Sequence, residues 1–202
     1  MRIGEVATVT PGMATTKRAA GARAGQWRLD VVESGDIEDD RLHLGGLRRI
    51  EVWRTAWAEK HPLRPFDLLI TARSRVVKVA LVPPGTTGTV AASTLLVVRP
   101  SEPGSGIGQY LWYYLTSTRG RGALEAGVRI GASIPSLSAS AVAELEIPLP
   151  PPAELRSLAR MIEASEETYQ ASVRAVELRR ETLRDAVIDR LASEHADGEE
   201  KK

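Results

Sequence analysis

The chain has 202 residues, enough for one ordinary domain with an appendage or for two small domains. It contains no cysteine, which excludes a disulfide framework, thiol catalysis and cysteine-ligated zinc. Its three histidines, His43, His61 and His195, lack the i, i+4 spacing of a histidine metal site, so we predict no bound metal. The 27 basic and 26 acidic residues leave a net charge of +1, which by itself argues against a polyanionic partner.

Two further features concern localisation. No run of about 18 apolar residues occurs, so the sequence predicts no membrane-spanning segment. Residues 1–5 lack the apolar core and the small-residue cleavage site of a signal peptide. We therefore expect a cytoplasmic protein that does not contact a membrane.

Residues 1–150 are predicted to form a domain of short strands and helices, because short apolar runs alternate there with Gly, Pro, Ser and Thr. The strands are predicted at residues 47–53, 67–72, 76–82, 90–98 and 145–149, which are rich in Val, Ile, Leu and Thr. Apolar side chains recur with helical spacing over residues 107–117, and we expect the aromatic ones to pack in the core. The predicted fold class is α+β.

A proline-rich segment at 147–152 ends this domain, because proline lacks the N–H that helices and central strands need. One long helix is predicted from Pro152, which suits a first helical position, to about Ser193. Its length is roughly 60 Å at 1.5 Å per residue. The predicted domains are therefore 1–150, a long helix at 151–193 and a disordered charged tail at 194–202.

Apolar residues recur every seven positions along this helix, as in a coiled coil. The row consists of Leu155, Ile162, Tyr169, Val176 and Leu183. A helix lying on its own domain is the alternative interpretation. We favour pairing with a second helix, and hence a homodimer, because a rod of this length would overhang the domain before it.

Catalytic patterns are largely missing. Residues 104–108 (GSGIG) lack the flanking strand and the later acidic residue of a dinucleotide-binding loop, and residues 85–89 (GTTGT) lack the lysine of a phosphate-binding loop. The acidic-x-Lys spacing of many metal-dependent nucleases occurs only in the last four residues, which we expect to be frayed. We predict no catalytic residue and no cofactor.

The distribution of charge is more informative than its total. Residues 1–150 hold 18 basic and 14 acidic residues, a balance of +4, whereas residues 151–202 hold 9 and 12, a balance of −3. Basic residues of the first part cluster beside Gly, Ser and Thr, as at Lys17 and Arg18 and at Arg73, Arg75 and Lys78. A single arginine is usually a solvated surface charge, but several loop clusters favour DNA binding.

Four stretches resemble the specificity subunits of type I restriction–modification systems, in the half-length form with one target-recognition domain. They are LRPFDLLI (63–70), AASTLLVVRP (91–100), YLWYYL (110–115) and GASIPSLS (131–138) followed by LEIPLPPPAE (145–154). The last stretch is the most specific, because the family carries similar motifs in this order directly before its long helix. Phe66 stands where the family usually has Gly, Pro152 where it has Leu, and Leu155 where it has Gln.

The resemblance implies recognition of double-stranded DNA without chemistry. It implies that separate modification and restriction subunits methylate and cleave the DNA, and that S-adenosylmethionine binds to those subunits. It also implies that the long helix docks the modification subunit and pairs with the same helix of a second copy. Basic side chains would contact the phosphates of the DNA backbone, and loop residues would contact base edges in the major groove. The candidate DNA contacts are Arg73, Ser74, Arg75, Lys78, Lys17, Arg18, Arg129 and Ser133. The first choices among them are Arg73, Ser74 and Arg75 together with the whole loop at 127–133, and Lys17 and Arg18 are second choices.

Two other functions stay open from the residues alone. The first is an adaptor that assembles a defence complex through its domain and coiled coil without reading DNA. The second is an enzyme, which only the loop at 104–108 favours. DNA affinity would separate the adaptor from the specificity subunit, and binding of S-adenosylmethionine by the isolated chain would favour the enzyme.

Overall fold

The computed structural model describes residues 1–14, 26–53, 58–130 and 134–199, without the side chains of Gln26, Trp53 and residues 191–199. The chain divides into two compact units, Met1–Ala159 and Arg160–Lys202. The boundary lies two turns inside the long helix and not at residue 150, because the first turns of that helix pack within the first unit.

The elements are mixed short strands and helices, as the predicted α+β class requires. The strands are β1 (Ala7–Pro11), β2 (Gln26–Val32), β3 (Ile37–Glu38), β4 (Arg41–Leu42), β5 (Arg48–Trp53), β6 (Leu68–Thr71), β7 (Val79–Leu81), β8 (Thr89–Ala91) and β9 (Leu95–Pro100). The helices are α1 (Ile3–Val6), α2 (Ile107–Thr116), α3 (Thr118–Ala126), α4 (Ala139–Ala143) and α5 (Pro152–Glu199). Single 3₁₀ turns occur at Ser34–Asp36, Ala58–Lys60 and Pro103–Ser105.

Three small sheets form the first unit. One has four antiparallel strands in the order β1-β9-β6-β7, one has the order β5-β2-β8, and β3 pairs with β4. Strands β6 and β9 lie inside the first sheet, and all four residues of β6 are buried, which explains the apolar run Leu68–Ile70 before the hydrogen-bonded Thr71.

Strand β2 alternates between its two faces from Trp27 to Val31, whereas Val32 and all three residues of β8 are buried. Leu29 of β2 and Ile50 of β5 are register partners on the core side, where Leu29 is fully buried. The next pair, Asp30 and Arg49, faces solvent and forms an ion pair of 3.0 Å. This two-residue period fixes the register, because a shift by one residue would bury the charges.

A tight turn at 92–94 moves the chain from the second sheet to the first. The Leu95 amide donates to the Ala92 carbonyl at 2.9 Å, and β9 begins at that residue. Buried residues of both sheets, among them Val32 and Leu69, then share one core cluster. The predicted strand at 90–98 is therefore wrong as a single element: this turn divides it into β8 and β9.

Two other strand predictions need correction. The predicted strand at 76–82 shrinks to Val79–Leu81, because the residues before it form the loop that follows β6. The predicted strand at 145–149 is wrong, since this segment makes only one isolated bridge, between Arg2 and Glu146. Strands β1 and β2 were not predicted from the sequence, although β2 is the central strand of its sheet.

Helix α2 confirms the predicted helix but only part of the prediction about its aromatic residues. Ile107, Leu111 and Leu115 form its buried face. Tyr110 and Tyr114 are half-buried and stack on each other with ring centroids 6.5 Å apart. Burial is the main reason that the pKa of Tyr110 is raised, and the neighbouring Tyr114 raises it further.

Helix α5 continues to Glu199, so the predicted disordered tail is helical at least to that residue. Its first turns are covered: Leu155 is only 2 % exposed, and a side chain on Gly106 would collide with the Leu155 carbonyl oxygen at 2.7 Å. Ile162 is also buried, at 8 % exposure. We leave these two predicted dimerisation residues out of the dimer contact proposed below, because both side chains are buried.

The remaining members of the heptad row are exposed. The exposed fraction is 58 % at Tyr169, 62 % at Val176 and 67 % at Leu183.

In the described part of the chain, no helix is both long and apolar enough to cross a membrane.

Candidate nucleic-acid interface

The predicted basic loop Arg73-Ser74-Arg75 directly follows β6 and is held in a tight connection. The Thr71 hydroxyl donates to the Val76 carbonyl at 3.2 Å and accepts from the Lys78 amide at 3.0 Å. Ser74 Oγ accepts from the Val76 amide at 3.3 Å. The Ser74 side chain therefore supports its own loop, whereas Arg73 and Arg75 extend into solvent.

Three chain segments meet beside this loop. Ser136 forms isolated bridges with Arg73 on one side and with Arg129 on the other. The Arg129 pair exchanges two backbone hydrogen bonds, of 2.8 and 3.0 Å, and the Leu137 amide donates to the Ala72 carbonyl at 2.8 Å. Arginines that are 56 positions apart in the sequence thus sit on either side of one residue. We call Arg73, Arg75 and Arg129 the arginine surface.

These three arginines differ from most other cations of the first unit. Arg28, Arg48 and Arg49 pair with carboxylates. Two more are used inside the fold, since Arg99 binds Asp67 at 2.6 Å and Arg121 pairs with Asp40. Within the described ranges, the side chains of the arginine surface have neither an ion pair nor a hydrogen bond, so their charges are available to a partner.

Lys78 is not part of this surface. Its ammonium group donates to the Ile37 carbonyl at 2.7 Å and to the Ser34 carbonyl at 3.3 Å. It therefore ties β7 to the segment that begins β3, which is a structural role. We remove Lys78 from the candidate DNA contacts, because two of its three donors are already used.

A groove of about 230 Å³ lies at the arginine surface. It is lined by Ser74, Arg75, Val77, Glu125, Val128, Ile130 and Pro135. We call this set the reading groove. Sequence reasoning pointed to Ser74, Arg75 and the loop at 127–133, which holds Val128 and Ile130. It did not point to Val77, Glu125 or Pro135, because apolar residues and one glutamate carry no signal of DNA binding when seen singly.

Three of the predicted contacts are not placed by the structure. Lys17, Arg18 and Ser133 lie outside the described residues. Among the residues that are described, no three His, Asp or Glu side chains gather as metal ligands would.

The motifs that carry the family resemblance build the scaffold and not the surface. Asp67 is 1 % exposed, accepts from the Arg64 amide at 2.8 Å and binds Arg99 through both oxygens. Phe66 has a φ of 68°, a left-handed conformation that glycine adopts most easily, which accounts for the glycine usual at this place. Ser138 caps α4 by accepting from the Ala141 amide.

A second internal pair fixes the turn between β3 and β4. Asp39 and Asp40 both have positive φ, and the Trp112 indole donates to the Asp40 carbonyl at 3.0 Å. The Asp40 carboxylate pairs with Arg121. Burial raises the pKa of Asp40, while Arg121 acts in the opposite direction. This pair joins α3 to the turn and leaves Arg121 unavailable for DNA.

Comparison with known proteins finds similar chains only among solved structures, and three of these share one fold. No protein-family model and no curated protein matches the sequence. Among solved structures, the chain is similar to the HsdS subunit from Thermoanaerobacter tengcongensis, with a TM-score of 0.57, 24 % identity, and coverage of 86 % of this chain and 43 % of that one. It is also similar to the S subunit of a type I restriction-modification system from M. genitalium, with a TM-score of 0.55, 16 % identity, and coverage of 90 % and 42 %.

A third similar chain comes from work on complex assembly and conformational transition of the type I R-M system, with a TM-score of 0.56 and 20 % identity. The similarity covers 87 % of this chain and 40 % of that one. The chain thus spans about two fifths of the length of each of these structures. The chain therefore has the fold of one part of a type I restriction–modification S subunit.

Proposed function

We propose that this protein is a DNA sequence-recognition subunit of a type I restriction–modification system. The observation that carries the proposal is the arginine surface: three exposed arginines without partners in the described structure, of which Arg75 lines a groove and Arg73 and Arg129 flank Ser136 beside it. Planar guanidinium groups suit phosphate oxygens and guanine edges, and the fold is that of S subunits.

The proposed mechanism is recognition alone. Arg73, Arg75 and Arg129 contact the backbone, which positions the protein, while the other side chains of the reading groove face base edges in the major groove. Methyl transfer and cleavage belong to separate modification and restriction subunits in the cytoplasm, and S-adenosylmethionine binds to the modification subunit. This protein determines which DNA site is bound and contributes no chemical group to the reaction.

A salt titration tests the role of the arginine surface. Each phosphate contact that is lost should reduce the slope of log affinity against log salt by about one unit. We expect this reduction for Arg73→Gln, Arg75→Gln and Arg129→Gln with short DNA duplexes of random sequence. Arg49→Gln is the matched control, because it removes the same charge from an arginine that is paired with Asp30.

Equal slopes for the control and the three variants would overturn the assignment. The adaptor hypothesis makes a different prediction, namely no DNA affinity above the ~10⁻⁴ M non-specific level at physiological salt. A functional test uses the purified modification subunit. We expect it to methylate specific sites only when this protein is present, and equal methylation without the protein would refute the proposal.

We further propose that two copies pair through α5. Tyr169, Val176 and Leu183 lie seven positions apart and are more than half exposed, so a second helix would cover an apolar row that water now contacts. By resemblance to full-size S subunits, the two helices would run antiparallel. A twofold dimer would then bind two identical half-sites, with a spacing set by the helices, and leave other helix faces for the modification subunit.

A further inference from the structure

Exposed apolar side chains are concentrated beside the arginine surface. In the described part of the first unit, six large apolar side chains are exposed, and three of them lie here. They are Val76, Ile130 and Ile134, which are 61 %, 90 % and 58 % exposed. Ile130 lines the groove, Val76 lies between the lining residues Arg75 and Val77, and Ile134 precedes the lining residue Pro135. Single exposed apolar residues are ordinary, but three at or next to one charged groove indicate a contact surface.

The composition of the reading groove separates base contacts from phosphate contacts. A phosphate-binding surface combines cations with neutral donors, and a carboxylate there would repel the ligand. The groove instead places Glu125 and the apolar Val128 and Pro135 in the same lining as Arg75. Base edges in the major groove offer partners to the carboxylate and to the apolar side chains: a donor on cytosine and an apolar methyl group on thymine.

We infer that Ile130, together with Val76 and Ile134, contacts thymine methyl groups in the major groove, so that the target contains at least one A·T pair recognised by apolar contact. The inference rests on the proposed function. Thymine is the only DNA base whose major-groove edge carries an apolar group, and a β-branched side chain matches it in shape and polarity. Arg73 and Arg129 do not line the groove and contact the flanking phosphates.

The experiment first defines the target and then removes the methyl groups. The full-length protein selects its preferred duplex from a pool of random sequence, and each thymine of that duplex is then replaced by deoxyuridine, one at a time. Deoxyuridine pairs as thymine does and lacks only the methyl group. Burying one such carbon is worth about a fourfold change in affinity, so we expect an approximately fourfold loss at one or more positions.

Variants connect the effect to the named residues. Ile130→Ser should bind the thymine and deoxyuridine duplexes with a smaller difference in affinity, because one of the partners of the methyl groups is gone. A triple variant, Val76→Ser with Ile130→Ser and Ile134→Ser, should remove any remaining sensitivity. Leu44→Ser is the control: Leu44 is also exposed, at 39 %, but does not line the groove, so its sensitivity should stay. Thermal unfolding of each variant shows whether it is folded.

The outcomes separate this inference from the proposed function. If the random pool yields no enriched sequence, the proposed function itself fails. If a sequence is enriched but no deoxyuridine replacement weakens binding, methyl recognition is refuted and sequence recognition stands. If the triple variant keeps the full difference between thymine and deoxyuridine, the methyl group is recognised elsewhere and the assignment to Ile130 is wrong.

Discussion

Asp67 shows how a single residue can hold two distant parts of the first sheet together. Its carboxylate lies before β6, is nearly inaccessible to water and binds Arg99 of β9 with N–O distances of 2.6 to 3.2 Å. Arg99 also donates to the Pro62 carbonyl at 2.8 Å, so the guanidinium joins the approach to β6 with β9. The pair is structural, and neither group is available to a ligand.

Removal of this carboxylate should be costly. Asp67→Ala leaves Arg99 without its partner in a largely buried position, and we expect a loss of about 3 kcal/mol in the free energy of unfolding. Denaturant titration would measure it. The control is Asp30→Ala, which breaks an exposed pair with Arg49 and should cost less than about 1 kcal/mol. Similar losses for the two variants would contradict the structural role of the buried pair.

Phe66 presents a different local effect, because its backbone has a φ of 68°. A side chain at this φ is strained, whereas glycine is not. Both Phe66→Gly and Phe66→Ala remove the ring, so the comparison between them isolates the backbone. We expect Phe66→Gly to be more stable than Phe66→Ala by about 1 kcal/mol in thermal or denaturant unfolding. A more stable alanine variant would show that the turn relaxes when the ring is lost.

At the scale of elements, the packing of α3 against α2 depends on one close approach. A side chain on Gly120 would meet the Tyr114 carbonyl oxygen at 2.1 Å and the Leu115 Cα at 2.6 Å. Both atoms belong to the backbone of α2 and cannot move alone. The residue therefore sets how near the two helices come, and it adjoins Arg121, whose pair with Asp40 anchors the same helix.

A matched pair of glycines in α3 tests this contact. Gly120→Ala should destabilise the protein by about 1 to 3 kcal/mol, because the added methyl group forces the helices apart. Gly122→Ala should be neutral or stabilising by up to about 1 kcal/mol, since a side chain there meets nothing within 4 Å and alanine favours helix. The midpoints of chemical denaturation give both values. Equal effects would mean that helix propensity and not packing dominates.

Sequence periodicity predicted elements unevenly. The helix α2 was recognisable from its apolar face, because one face of it is buried along its length. The strand β6 was recognisable from its apolar run Leu68–Ile70, because both of its faces are buried. The segment at 90–98 is equally apolar but turns at 92–94 to pass between two sheets. Apolar content alone cannot reveal such a turn, since every residue on either side of it is buried.

At the scale of the whole molecule, the heptad row of α5 divides into two parts. Leu155 is covered within the first unit and Ile162 is buried as well, whereas Tyr169, Val176 and Leu183 are exposed. A seven-residue period shows that an apolar row is to be covered, but it does not show whether the cover comes from the same chain. The burial of Leu155 fits a helix that lies on its own domain, and pairing with a second helix is our proposal for the exposed part of the row.

Two leucines of similar exposure test the proposed pairing. Leu183, 67 % exposed, belongs to the row, whereas Leu178, 64 % exposed, lies on another face, about 200° around the helix from Val176. We expect Leu183→Lys to shift the protein from dimer toward monomer in light scattering, because it places charge in the apolar contact. Leu178→Lys should leave the dimer unchanged. A monomeric parent protein, or equal effects of both substitutions, would contradict the pairing.

The sequence by itself determined the α+β class, the long helix after the proline-rich segment, and the concentration of positive charge in the first 150 residues. Local propensity, proline chemistry and residue counts suffice for these properties. Only the tertiary structure decided which cations are available: it pairs Arg28 and Arg121 with carboxylates, ties Lys78 to carbonyl oxygens, and brings Arg129 beside Arg73 through Ser136. The reason is that a side chain's availability depends on neighbours distant in sequence, and those neighbours are set by the packing of the sheets.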